Sequence, residues 1–476
     1  MENWAAAEMR GATIRDHRFR KSLVTILERL SEHPGVSFSA AAGQAKRQAF
    51  HRFSKPVINS ENKKVVVSVD EVMAGHFQET ISRIEHACSG NLVLVAQDTS
   101  HFNYNGLVKT EGLGYGNSTS DRCLFAHSAV ALTVDGLPLG VIDLDIYPRD
   151  LSMLGKGEER RNYDIKEKES YRWITTAKAV DDRLPAGQPV LFIQDREADI
   201  FAFLEAERKP NSYFLVRAAH PRKVEVDLPG QEKPRKGKLF DVAVDAPLVA
   251  HMHVTIPRSP NRSHQEIDLS VQSTMLRIMP PSGRKGVSDE PVDLWVVRAR
   301  EVSPPAGEKA IEWVLISSMP IRTAEQACQM VRYYSKRWMI ERLHYTIKSG
   351  GCNAERLRMD DADSIKLALA MYYITGWKLL HLTYLARLTP DAPASIALAP
   401  DELEAIDLIE KAPVKTLAES VIAIAKLGGY EYYKNAPPPG VKRLWIGLRR
   451  LQDIALGLQL ARKQQGKIDG RDMIHG

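Results

Sequence analysis

Two strand-like runs of this chain end in the same pair of residues: VLVAQD closes on Asp98 and VLFIQD on Asp195. Either run alone is an ordinary buried strand stopping at a polar residue. A third carboxylate, Glu341, lies in the helical stretch TAEQACQMVRYYSKRWMIERLHYTIKSG, with Thr323 as a plausible N-cap and SGG as its stop. At ~100° per residue, Tyr334, Arg337, Glu341 and Lys348 fall within about 60° of one another, opposite Ile340, Leu343 and Ile347. By itself that stripe is a solvated face. Converging with Asp98 and Asp195, it would complete a three-carboxylate cluster of the kind that binds hard divalent cations through oxygen. Two such ions roughly 4 Å apart suit phosphoryl transfer on a phosphodiester, and Arg337 and Lys348 would sit beside them to hold phosphates.

The elements that must position these residues follow from periodicity. Residues 1–70 read as short helices with basic faces, closed by the break FSKPVINSENKK. EVMAGHFQETISRIEHAC is an amphipathic helix leading into the strand NLVLVAQD. Two strands, SAVALTVDG and PLGVIDLDIYP, follow across a turn, then a helix, the strand QPVLFIQD, another helix and the strand SYFLVRAA. This order predicts a mixed α/β core with an antiparallel start. Between about 220 and 310, short β-like runs separated by Pro, Gly and Ser predict a β-rich insertion, after which EWVLISS restores the core. Beyond 360 the pattern is helical. Three domains are expected: 1–70, 71–365 and 366–476.

The bulk numbers restrict the partners. The 476 residues are 44% hydrophobic and 26% charged, an ordinary globular composition, without a run of ~18 apolar residues that would span a membrane. The N-terminus lacks the apolar core of a secretory signal, which predicts a cytosolic protein. The four cysteines are scattered without a C-x-x-C pair, against a zinc site or a disulfide framework. The net charge is +6, and the basic residues cluster in RDHRFRK, KRQAFHRF, HPRK, KPRKGK and RLWIGLRR. Each cluster alone is a solvated face; five together tilt toward nucleic acid.

With these residues in hand the chain resembles the DDE transposases of the insertion-sequence-four family. The resemblance is carried by DREAD (195–199), by Tyr334, Arg337, Glu341 and Lys348 in a Y-x2-R-x3-E-x6-K pattern, and by QDTS at Asp98. Further matches are His127 in AHSAVAL, EKES (167–170) with Trp173, VRAAHPRK (216–223), PPAGEKAIEWVLISSMPI and the C-terminal LGGY…PPPG. It runs along the whole chain and is strongest from 91 to 352.

The resemblance implies a ribonuclease H-like catalytic core with a β-rich insertion, flanked by an N-terminal helical DNA-binding domain and a C-terminal helical dimerisation domain. It implies Asp98, Asp195 and Glu341 as ligands of two Mg²⁺ ions, with Mn²⁺ able to substitute. Tyr334, Arg337 and Lys348 match residues that grip the transposon end and its hairpin, and Trp313 matches a tryptophan that stacks on a flipped base. Arg217 and His220 match positions close to DNA, with Arg222, Lys223 and Arg52 expected nearby. Ala219 stands where the family has lysine, and the N-terminal segment matches loosely, chiefly through HRFSKP. Asp199, by its spacing, is expected in a helix N-terminal turn, favouring the dipole. The implied partners are double-stranded transposon-end DNA, target DNA and a second copy of the chain in a synaptic homodimer, in a bacterial cytoplasm at the nucleoid. An inactive DNA-binding regulator, a nuclease that cuts without joining and a metal-independent carboxylate hydrolase are the competing readings.

Overall fold

The computed structural model describes residues 4–472, except positions 15, 34, 56, 59–63, 66, 117, 119, 151, 153–158, 160–162, 228–229, 231, 257–265, 284 and 435. Part of the expected break FSKPVINSENKK therefore lies outside the described residues. Three helices open the chain: α1 (Trp4–Met9), α2 (His17–Glu32) and α3 (Phe38–Ser54). The two-residue strands β1 (Val57–Ile58) and β2 (Lys64–Val65) lead to α4 (Val69–Cys88). Ser68 and Glu71 cap α4 reciprocally, satisfying two of the backbone N–H groups that a helix start leaves open.

The core strands are β3 (Val93–Asn103), β4 (Cys123–Leu132) and β5 (Pro138–Tyr147), an antiparallel meander. Helix α5 (Arg172–Arg183) crosses to β6 (Val190–Gln194), and the short α6 (Phe201–Glu205) to β7 (Ser212–Arg217). Both β6 and β7 run parallel to β3, so the predicted mixed core is the one observed.

The insertion holds β8 (Lys223–Val226), β9 (Arg235–Lys238), α7 (Leu239–Asp245), β10 (Leu248–Thr255), β11 (Glu266–Ile278) and β12 (Val292–Glu301). It departs from expectation in one element. It contains a helix, α7, whose Leu239, Val242 and Ala243 are buried at helical spacing within a run too short for a periodic signal. Its strands continue the core sheet: β13 (Glu312–Ser317) pairs antiparallel with both β7 and β12, giving eleven strands among the described residues.

Helices α8 (Ala324–Ser335) and α9 (Trp338–Tyr345) follow, then α10 (Ala362–Leu388), α11 (Pro400–Glu410), α12 (Leu417–Leu427) and α13 (Val441–Asp472). One sheet face packs residues such as Leu94, Ala96, Leu191 and Ile193 against α8, α9 and α10; the other packs Val93, Val95, Val190 and Phe192 against α5, α6 and α7. Helix α10 is apolar almost all round because it is buried among the N-terminal helices, β5 and the C-terminal helices.

A buried polar junction ties the first helix to the core. Arg83 donates to Glu8 at 2.7 Å and to the Leu139 carbonyl at 2.6 Å, and its guanidinium lies 4.1 Å from the Trp377 ring centre. His76 contacts Glu8 through Nδ1 at 2.6 Å, while its Nε2 accepts the Val141 N–H at 3.0 Å. That acceptor role requires a neutral imidazole, so Arg83 supplies the positive charge opposite Glu8. The four cysteines are buried and free, and among the described residues no helix is long and apolar enough to cross a membrane.

Candidate active site

Strands β3 and β6 run in parallel register from Val93 opposite Val190 to Ala96 opposite Ile193. Continuing that register sets Gln97 beside Gln194 and Asp98 level with Asp195. The first pair is a direct contact: Gln194 Nε2 donates to Gln97 Oε1 at 2.6 Å. Asp98 accepts the Thr99 N–H at 2.8 Å, and Asp195 caps a short 3-10 turn by accepting the Glu197 N–H at 2.8 Å. Each aspartate is therefore oriented by its own following backbone.

Helix α9 brings Glu341 over this pair. The long helix expected from the sequence is in fact broken: Lys336 and Arg337 hydrogen-bond back three residues, to Tyr333 and Tyr334, and α9 restarts at Trp338. The break contains neither Gly nor Pro, so no residue signal announced it. After α9, residues Thr346–Gly350 widen into a π turn that carries Lys348. Glu341 does not face the aspartates freely, since one oxygen accepts from the Arg337 guanidinium at 2.5 Å. Among the described residues no three Asp, Glu, His or Cys side chains close into one complete ligand set.

The electrostatics favour a cation here nonetheless. Burial, then the charge of Asp195 and the lesser one of Glu341, push the Asp98 carboxyl up to about 7 against the opposing pull of Arg337 and the Thr99 N–H. Clustered carboxylate oxygens that repel one another are the donor set of a hard divalent ion, and Asp98, Asp195 and Glu341 fit such a group. His344, one turn past Glu341, sits 3.7 Å from Asp98 and 3.0 Å from the Ser128 hydroxyl. The sequence reading passed over His344, although its i+3 spacing from Glu341 puts it on the same side of the helix.

The expected DNA contacts fall into groups. The Trp313 and Tyr334 rings meet edge-on at 5.3 Å, and the Arg337 guanidinium lies 5.8 Å from the Tyr334 ring centre. Trp313 is half-buried and Tyr334 buried. Arg217 donates to the Glu312 carbonyl on the neighbouring strand, at 3.1 Å. Trp338, 42% exposed and adjacent to Arg337, was not singled out from the sequence. Lys348 lies 5.3 Å from the Phe102 ring centre and lines a cavity of about 630 Å³ with Thr99, His101, Tyr147, Arg149 and Glu169.

His220 and Lys223 are exposed, whereas Arg222 is committed to Asp199. Asp199 does not serve a helix dipole as expected. It is buried and accepts the N–H groups of Ala219 and His220 at 2.7 and 3.0 Å as well as Arg222 Nε at 2.8 Å, thereby fixing the loop after β7. Arg52 stands apart on α3, exposed, in a cavity of about 530 Å³ that also takes Arg47, His51 and Arg358.

Three protein-family models match the chain: transposase DNA-binding over residues 1–56, transposase DDE domain over 162–375, and transposase Tn5 dimerisation domain over 374–467. The DDE match includes Asp195, Trp313, the Tyr334–Lys348 stretch and Glu341, and starts after Asp98. The DNA-binding match includes Arg52. The second and third matches meet at residues 374–375, inside α10. DDE domains work with divalent metal ions, and the flanking matches supply DNA and a second copy of the chain as partners. The chain is a DNA transposase, a metal-dependent enzyme that carries a transposase DNA-binding domain, a DDE catalytic domain and a Tn5-type dimerisation domain.

Proposed function

We propose that this transposase belongs to the insertion-sequence-four family and moves its element by cut-and-paste. A transposon end is nicked to leave a 3′-hydroxyl; that hydroxyl attacks the opposite strand and forms a hairpin; water opens the hairpin; and the freed 3′-hydroxyl joins target DNA. The observation that carries this reading is the parallel register of β3 and β6, which sets Asp98 level with Asp195 beneath the helix bearing Glu341.

Asp98, Asp195 and Glu341 would hold two Mg²⁺ ions, with Mn²⁺ able to substitute. Bound divalent ions supply Lewis acidity at a phosphoryl oxygen and lower the pKa of the attacking oxygen. Glu341 must leave Arg337 to join the aspartates, and that movement frees the Arg337 guanidinium for a DNA phosphate. Tyr334 and Lys348 flank the same phosphates. Trp313 offers its ring to the base that a tight hairpin unstacks, offsetting part of the unstacking cost. Arg217, His220 and Lys223 line the approach, with Arg222 anchoring their loop, and Arg52 contacts the end from the N-terminal domain. The working unit is a synaptic homodimer at the nucleoid, each subunit cutting the end held mainly by the other. The domains divide as 1–70, 71–365 and 366–476.

The test is an incubation of full-length protein with labelled DNA bearing the element's native flanked ends and Mg²⁺ or Mn²⁺, beside Glu341→Ala. Hairpinned and joined products from the parent alone support the reading. Cutting without hairpins or joining would reduce the protein to a nuclease, and equal activity in Glu341→Ala would remove the site.

A further inference from the structure

We infer that Gln97 and Gln194 are positioning residues: their buried amide pair locks the register of β3 and β6 and thereby sets the spacing of the two aspartates. The inference rests on the reading of Asp98 and Asp195 as metal ligands. The run Val93-Leu94-Val95-Ala96 lies beside Val190-Leu191-Phe192-Ile193, and both runs are buried on both faces. Such runs specify register weakly, because sliding one strand by two residues keeps every side chain on its own face with another apolar neighbour. A two-residue slip would nevertheless carry Asp195 about 6.6 Å along the strand, beyond the span of a shared metal pair.

The glutamines are the one polar step in each run before the aspartate, and both are fully buried. In the observed register Gln194 donates to Gln97 at 2.6 Å. In a slipped register each amide would be buried without the other and would bear its full desolvation cost. The pair is a poor stabiliser even in register, since Gln97 Nε2 and Gln194 Oε1 make no hydrogen bond among the described residues. Two apolar side chains of similar size would pack there without that cost. The pair therefore contributes position rather than stability, as a buried polar residue does when it fixes the register of a coiled coil. The amides meet on the face that packs Val95 and Phe192, and the next residue of each strand delivers a carboxylate at the edge of the site.

The experiment uses the full-length protein with Mn²⁺ alone as probe, titrated by electron paramagnetic resonance, on the parent, the Gln97→Met/Gln194→Met double variant and Asp98→Asn. The double variant is expected to unfold at the parental temperature or above and to bind Mn²⁺ roughly tenfold more weakly, the scale of lost second-sphere support at metal sites. A purely structural role would move the unfolding temperature and leave the affinity of the folded protein alone. Should the double variant not fold, Gln97→Asn keeps an amide but shortens its reach by one methylene, and the same loss of affinity is expected. Parental Mn²⁺ affinity in a folded double variant, or in Gln97→Asn when the double variant does not fold, overturns the inference. If Asp98→Asn also binds Mn²⁺ like the parent, the metal-site reading itself fails.

Discussion

Arg337 donates to Glu341 across one helical turn, at 2.5 Å, so one oxygen of the third proposed carboxylate ligand is already engaged. The same guanidinium also draws down the raised Asp98 pKa. Arg337→Ala removes both effects together with the proposed phosphate contact. Cleavage of end DNA is expected to fall by about 10–100-fold, the range for a lost charge-assisted hydrogen bond. Arg337→Lys should recover only part, because it restores the charge without the planar fork. Single-turnover cleavage measures this, and parental rates in Arg337→Ala would refute the role.

Asp98 gives a prediction with opposite signs for stability and activity. Its folded pKa of about 7 lies above the ordinary carboxylate value, so the folded state holds this proton more tightly than the unfolded chain. The stability it contributes is present at low pH and is lost as pH rises through that window. Without metal at pH 8, Asp98→Asn should therefore be more stable than the parent by at least about 1 kcal/mol, and the gain should vanish near pH 4. Its cleavage activity should fall on the order of a thousandfold or more, as for groups that act as a unit. Chelator added to the parent should abolish cleavage while end binding persists in a gel shift. Cutting in chelator would contradict the metal site.

The features legible in the sequence were those written in local signals. The strand run into Asp98, the strand that stops just before Asp195 and the cap at Thr323 all rest on residues a few positions apart, although β3 continues past Asp98 to Asn103. What escaped depends on partners distant in the chain. Asp199 looks like a helix-start carboxylate until Arg222 and the Ala219 N–H arrive from the loop after β7. The Gln-Asp repeat drew attention to the aspartates, whereas the glutamines acquire meaning only when β3 and β6 lie side by side. The kink at Lys336 is set by packing of α8 and α9 against different parts of the sheet, without a breaker residue, so a helical wheel drawn through it joins two separate stripes.

Trp313 meets Tyr334 edge-on and is only half-buried, so its ring is available to a base without repacking the core. Trp313→Ala should reduce hairpin formation by about tenfold, the scale of one base-aromatic stack, and nicking by much less. The ratio of hairpinned to nicked product on a time course measures this. A parallel fall in both products would place Trp313 in general end binding or folding.

Helices α12 and α13 cross at two glycines. A β-carbon on Gly447 would collide with the Ile424 carbonyl, and one on Gly428 with the Arg443 carbonyl. This crossing lies inside the matched dimerisation domain. Gly447→Ala should force the helices apart at a cost of about 1–3 kcal/mol and weaken self-association. Sedimentation at several concentrations would reveal the shift toward monomer; an unchanged dimer would mean that the crossing does not support the interface.

The junction of Glu8, His76 and Arg83 predicts how acid separates the first helix from the core. Burial raises the Glu8 carboxyl, but the His76 contact and the Arg83 charge outweigh it and hold the group at about 2. A depressed carboxyl pKa contributes stability that is present above its unfolded value near 4.5 and lost as pH falls toward 2. His76 acts in the same direction, since burial lowers its pKa and the neutral ring must charge as the chain unfolds in acid. Lys378 and His381 also face this junction; burial depresses both, and Glu8 opposes that shift in each. Glu8→Gln keeps the shape and leaves Arg83 without its carboxylate, so at pH 7 it should cost about 2–3 kcal/mol. The gap between parent and variant should stay constant down to about pH 5 and narrow progressively below pH 4.5, where Glu8 of the unfolded chain takes up a proton that the folded junction still refuses. Thermal unfolding of both proteins from pH 7 to pH 3 measures the gap, and a difference that widens in acid would show that Glu8 is not the charged member of this junction.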